Sequence, residues 1–163
     1  MRIQTKIHVC PIKQLYAMAK QLEGNVAAIL CTTNPVSKIK LEGIQFCHIS
    51  FSDITDIKRF DAFKKEKADK IRKFIDEAEG VSELYICCDS GESRSAAIAA
   101  AVLRYYGRNE MAVWANVRYH PNPYVYHLQC QAFGLSSSKV RTLLLSKYNK
   151  YLFNKQIQAK RKT

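Results

Sequence analysis

The stretch Leu84-Tyr85-Ile86-Cys87-Cys88-Asp89-Ser90-Gly91-Glu92-Ser93-Arg94-Ser95-Ala96-Ala97 decides the fold. Its first five residues are uninterruptedly apolar, which suits a strand buried on both faces of a sheet. From Arg94 the chain turns alanine-rich and reads as a helix over 94–106, closed by Gly107. A short polar loop with one glycine joins the two. Strand, tight loop and helix form the repeating unit of an α/β protein, and the same alternation recurs on either side. The stretch 4–10 reads as a strand. The stretch 12–22 reads as a helix with Ile12, Leu15, Ala19 and Leu22 at helical spacing and Pro11 suited to its first turn. The wholly apolar 26–31 is a second buried strand, and 44–51 a third, with Ile49 and Phe51 on one face. Over 64–79, Ala68, Ile71, Phe74, Ile75 and Ala78 make one stripe among charges, which is an amphipathic helix. Further helices are predicted over 110–117, 123–133 and 137–153. The expected fold is therefore α/β: a central, mostly parallel sheet of about four to five strands flanked by helices, with a helical C-terminal part. Residues 1–153 read as one domain and 154–163 as a basic tail.

Composition narrows the classes. At 163 residues, with 47% hydrophobic and 25% charged residues, the chain suits a single globular domain. No apolar run approaches the roughly 20 residues that cross a bilayer, and Met1-Arg2-Ile3-Gln4-Thr5-Lys6 does not resemble a secretory leader. A cytoplasmic setting is expected. The six cysteines lie mostly within apolar runs, so free thiols in a reducing compartment are expected rather than a disulfide framework. No Cys-x-x-Cys pair occurs, and His120 and His127 are remote from paired thiols, so neither a metal nor another cofactor is expected.

Charge is unevenly spread. The net charge is +12, and Glu110 is the last acidic residue. Beyond it come Arg118, Lys139, Arg141, Lys147, Lys150, Lys155, Lys160, Arg161 and Lys162. Such a run is either a solvated helical face with a frayed end or an attractor for an anionic partner. Nucleic acid is disfavoured, because Tyr105, Tyr106, Tyr119, Tyr124 and Tyr126 read as packing residues rather than a stacking platform.

The loop carries the chemistry. At the carboxyl end of a parallel strand, loop amides converge on a concavity and the following helix adds positive potential, which favours an anion. Asp89, Ser90, Gly91, Glu92 and Ser93 supply that cradle, with Gly91 permitting the tight turn. Arg94 offers a planar fork for two phosphate oxygens. Cys88 sits in the same positive field, which favours its thiolate as a nucleophile. Ser95 can donate to the Cys88 sulfur, or satisfy an amide at the helix start.

Cys88-x5-Arg94-Ser95 resembles the phosphate-binding signature of the cysteine-dependent protein tyrosine phosphatases, and its late position resembles the dual-specificity-like branch. The resemblance is specific at the loop and loose over 26–133. It implies a metal-free phosphatase working through a cysteinyl-phosphate intermediate. It also implies an aspartate general acid about thirty residues before the cysteine, where Asp53, Asp56 and Asp61 are candidates and Asp53 is preferred. Asp53 can alternatively cap a helical turn at 54–57.

Two departures stand out. The family usually has His immediately before the nucleophile, whereas this chain has Cys87, a buried strand residue or a redox partner. Asp89 and Glu92 make the loop acidic, which disfavours inositol lipids and favours phosphotyrosine, with phosphoserine/threonine or a small phosphomonoester as alternatives. His120-Pro121-Asn122-Pro123 reads as a turn into the next helix, with a pocket-lining role as the other reading. Competing functions are a catalytically silent phosphate-binding module and, further off, sulfur transfer or arsenate reduction through the same thiolate.

Overall fold

The computed structural model describes residues 5–35, 38–56 and 58–161. Four strands, β1 (Lys6–Pro11), β2 (Val26–Thr32), β3 (Gln45–Ser50) and β4 (Glu83–Cys88), form an all-parallel sheet in the order β1-β4-β2-β3. Six helices accompany them among the described residues: α1 (Ile12–Met18), α2 (Lys65–Glu77), α3 (Arg94–Tyr105), α4 (Met111–Trp114), α5 (Pro123–Ala132) and α6 (Lys139–Lys160). The α/β architecture expected from the alternating pattern is the one observed. Among the described residues no helix is long and apolar enough to cross a membrane.

The central strands explain their composition. β2 pairs with β3 on one side and β4 on the other, and all seven of its residues are buried. Polar side chains there would lose water from both faces. Because strand side chains alternate, β2 and β4 divide between two cores. Ala27, Ile29, Cys31, Leu84, Ile86 and Cys88 join the larger core beneath α2, α3 and α5. Ala28, Leu30, Tyr85 and Cys87 join Cys10 and Leu15 in the smaller core beneath α1. The neighbouring thiols Cys87 and Cys88 therefore face opposite sides of the sheet. Their separation is a consequence of the two-residue strand period alone.

Helix α3 lies at the centre of the larger core, with Arg94 through Leu103 all buried. Its alanines suit a helix packed on several sides, since small side chains let the sheet and α5 approach closely. Trp114 and Tyr126 meet edge to face at 5.2 Å beside it.

Three helix boundaries differ from expectation. The helix predicted over 12–22 stops at Met18 and tightens into a 3-10 turn at Ala19–Gln21. The helix predicted over 110–117 spans only Met111–Trp114, because the Asn116 side chain accepts from the Arg118 amide (3.0 Å) and closes a local turn instead. Conversely, α6 continues past Phe153 to Lys160. Asn154-Lys155-Gln156-Ile157-Gln158-Ala159-Lys160 contains no breaker and several good helix formers, so nothing stops the helix where a tail was expected.

Candidate active site

Cys88 ends β4, Asp89–Ser93 form the loop, and Arg94 opens α3. The loop is pressed against the junction of β1 and α1. A Cβ on Gly91 would lie 2.5 Å from both the Cys10 carbonyl carbon and the Pro11 nitrogen, and φ is +72°. Only glycine fits that approach in that conformation. The first amides of a helix have no partner within it, so the start of α3 adds positive potential beside the loop.

The sulfur of Cys88 is buried and lies 3.0 Å from the Ser95 hydroxyl. Ser95 is itself fully buried. Cys87 lies on the opposite face, where its sulfur is 3.4 Å from that of Cys10. That shared hydrogen bond, together with burial, pushes the Cys87 thiol up, which keeps it protonated. Burial pushes the nearby Cys31 thiol well up as well. All six cysteines are free and buried.

Arg94 is buried to 5% exposure and held from three directions. One terminal nitrogen donates to the Phe51 carbonyl (2.8 Å) and the Thr33 hydroxyl (3.2 Å). The other donates to the Asp89 carboxylate at 2.5 Å. Nε is buried and has no hydrogen-bond partner among the described residues. The Phe51 ring lies 5.7 Å from the guanidinium carbon. The fork expected for phosphate oxygens is therefore shared between backbone, hydroxyl and a carboxylate from its own loop. Thr33 binds Asp89 as well (3.3 Å).

The three candidate aspartates part company. One oxygen of Asp53 accepts from Ser93 Oγ (3.0 Å) and from Asn122 Nδ2 (2.8 Å), tying it to the loop. Asp56 accepts from the Lys58 amide (3.0 Å), a local turn. Asp61 accepts from Arg59 and from Ser52. The Arg59 hydrogen bonds, and then that of Ser52, lower the Asp61 carboxyl to about 2. Its oxygens are committed to Arg59 and Ser52, and among the described residues no side-chain hydrogen bond ties it to the loop. The alternative helical turn at 54–57 is absent over 54–56, and Ile57 lies outside the described residues.

The His120–Pro123 turn backs the loop. The His120 amide donates to the Glu92 carbonyl (2.9 Å) and the Asn122 amide to the Ser93 carbonyl (3.4 Å). Asn122 also caps α5, its side-chain oxygen accepting from Tyr124 and Val125. It is thus both the turn into a helix and a wall of the site. A cleft of about 550 Å³ opens here, lined by Asp53, Ser93, His120, Asn122, Lys150 and Phe153.

Thr33, Phe51 and Asn122 contribute to the site although the loop motif does not contain them. Thr33 and Phe51 follow the carboxyl ends of β2 and β3, where parallel sheets gather ligand-binding groups, and that position was their only signal. Among the described residues no cluster of three or more His, Cys, Asp or Glu side chains could hold a metal. No family model matches this sequence, and neither curated proteins nor solved structures show a significant match to it.

Proposed function

We propose that the protein is a cysteine-dependent phosphatase of cytoplasmic phosphoproteins, with phosphotyrosine as the preferred side chain. The observation that supports this most is the grouping, within one strand-loop-helix unit, of the Cys88 sulfur, the Ser95 hydroxyl 3.0 Å from it and the buried Arg94. The Cys88 thiolate attacks phosphorus as the bond to the leaving oxygen breaks. The phosphoryl oxygens are held by Arg94 and the loop amides, where transition-state charge must be accommodated. Asp53 gives its proton to the departing oxygen. Water, its proton returned to Asp53, then cleaves the S–P bond and releases orthophosphate. Ser95 stabilises the thiolate as it leaves. No metal enters these steps.

Cys88→Ser is expected to abolish hydrolysis of p-nitrophenyl phosphate while tungstate still protects the folded protein against heat. Undiminished hydrolysis by that variant would refute the mechanism. A second reading is a silent phosphate-binding module, favoured by the Asp89 carboxylate seated on Arg94. Reduced wild-type protein that binds tungstate but shows no turnover would establish it.

A further inference from the structure

Helix α6 is built inside out. At 3.6 residues per turn its buried face carries Thr142, Ser146 and Asn149, all polar. Asn149 donates to the Trp114 and Tyr119 carbonyls (3.0 Å each), and Thr142 to the Ser138 carbonyl (3.0 Å). The helix is therefore anchored to the fold by Asn149, by Arg141 on Glu110, by Leu145 against the larger core and by Phe153 against His120 at 4.6 Å. Leu145 packs against the larger core, but five other large hydrophobic side chains of the helix do not. Val140, Leu143, Leu144, Tyr148 and Tyr151 are exposed, with Leu144 at 60% and Tyr151 at 58%. These positions share the outward face over three turns. Single exposed hydrophobics need no explanation, but a contiguous row of them marks an interaction site.

Charge identifies what covers it. The helix carries Lys139, Arg141, Lys147, Lys150, Lys155 and Lys160 and no acidic residue. Arg141 is committed to Glu110. A second copy of this helix would bring like charges together, which is repulsive. Lys147 decides between an acidic protein groove and a lipid surface, because it lies inside the apolar row. A groove would have to bury that ammonium. At a bilayer its stem lies along the apolar face while the ammonium reaches the phosphate layer. The tyrosines suit the same boundary, having an apolar ring and a polar tip.

We infer that the outward face of α6 docks on the surface of an anionic membrane, the helix lying in the plane of the headgroups without spanning it. The same helix lends Ser146, Asn149, Lys150 and Phe153 to the cleft beside Asp53, so docking holds that cleft close to the membrane. This inference does not depend on catalysis at Cys88.

Sedimentation of the full chain with phosphatidylcholine vesicles, with and without phosphatidylserine, tests it. Phosphatidylserine is expected to strengthen binding about a hundredfold, the effect of roughly three lysines near the surface. High salt is expected to reverse most of that gain. Leu144→Glu/Tyr151→Glu is expected to abolish binding while its circular dichroism and p-nitrophenyl phosphate hydrolysis match wild type. Equal binding to both vesicle types, or wild-type binding by the double variant, overturns the inference. So does failure to bind vesicles accompanied by capture of polyglutamate, which assigns the face to an acidic protein. A dimer in solution that the double variant dissociates assigns it to a second copy and overturns the inference too.

Discussion

Two arginine–carboxylate pairs in this protein are close to mirror images of each other. At the loop, Arg94 is buried, with 6% of its side chain exposed, and its partner Asp89 is 56% exposed. Where α6 meets the fold, Glu110 is buried at 8% and its partner Arg141 is 44% exposed. Glu110 also accepts from the buried Tyr126 hydroxyl, which Arg141 contacts at 3.0 Å. Burial above all, and then the hydrogen bond to Glu110, push the Tyr126 phenol up. The second cluster is thus a buried anion surrounded by donors, with an arginine as its lid. The first is a buried cation whose covering anion stands in solvent. A buried charge needs a partner, but only the pair whose lid is exposed and anionic can trade it for another anion. That asymmetry suits the first pair to the proposed anion site and the second to a clasp.

The largest effect expected from breaking this contrast is at Arg94. Arg94→Lys keeps the charge but removes the fork, and kcat/KM for p-nitrophenyl phosphate is expected to fall about a thousandfold. Denaturation midpoints should also fall, because the fork's bonds to the buried Phe51 carbonyl and to Thr33 are lost, so activity is compared on protein shown to be folded. A fall of less than tenfold would show that the fork has no part in turnover. Next is Glu110→Ala, which strips an acceptor from Tyr126 and Arg141. A loss of about 2 kcal/mol in urea unfolding is expected, with tungstate affinity of the folded protein unchanged. Unaltered stability would remove the distinction between clasp and site.

Asp89→Asn sharpens the comparison in the opposite direction. It removes the competing negative charge from the Arg94 fork, so orthophosphate should bind about tenfold more tightly by calorimetry. Equal or weaker binding would mean that Asp89 is part of the cradle rather than its competitor. The smallest effect concerns a third pair, Arg59–Asp61, in which the arginine is mostly exposed. Asp61 is lowered to about 2, first by Arg59 and then by Ser52. Its folded pKa lies below the ordinary carboxylate value, so its contribution is present above about pH 4 and lost as pH falls towards 2. Arg59→Ala should lower the melting temperature slightly at neutral pH, with the gap closing near pH 2. A gap that is constant across that range would exclude the pair from acid sensitivity.

How much of this was readable beforehand varied with distance along the chain. The strand β4, the glycine turn and the start of α3 are contiguous, and their apolar run, glycine and helix pattern specify them locally. The course of α6 was also written locally, in the helix formers of its last two turns, yet its charge run concealed it. Two of the partners of Arg94 were not readable. Thr33 and Phe51 are 61 and 43 residues away in sequence.

By itself the sequence determined the α/β alternation, the loop from Cys88 to Ser95 and the concentration of positive charge after Glu110. Hydrophobic period, turn chemistry and charge are properties of neighbouring residues, so they need no tertiary contact to act. Tertiary structure alone decided that Asp53, rather than Asp56 or Asp61, meets the loop, because Ser93 and Asn122 reach it from elements distant in sequence. It also decided that Asp89 occupies the fork of Arg94 and that α6 turns Leu143, Leu144, Tyr148 and Tyr151 outward. In each case several side chains could meet the local rules, and packing admits only one arrangement of them.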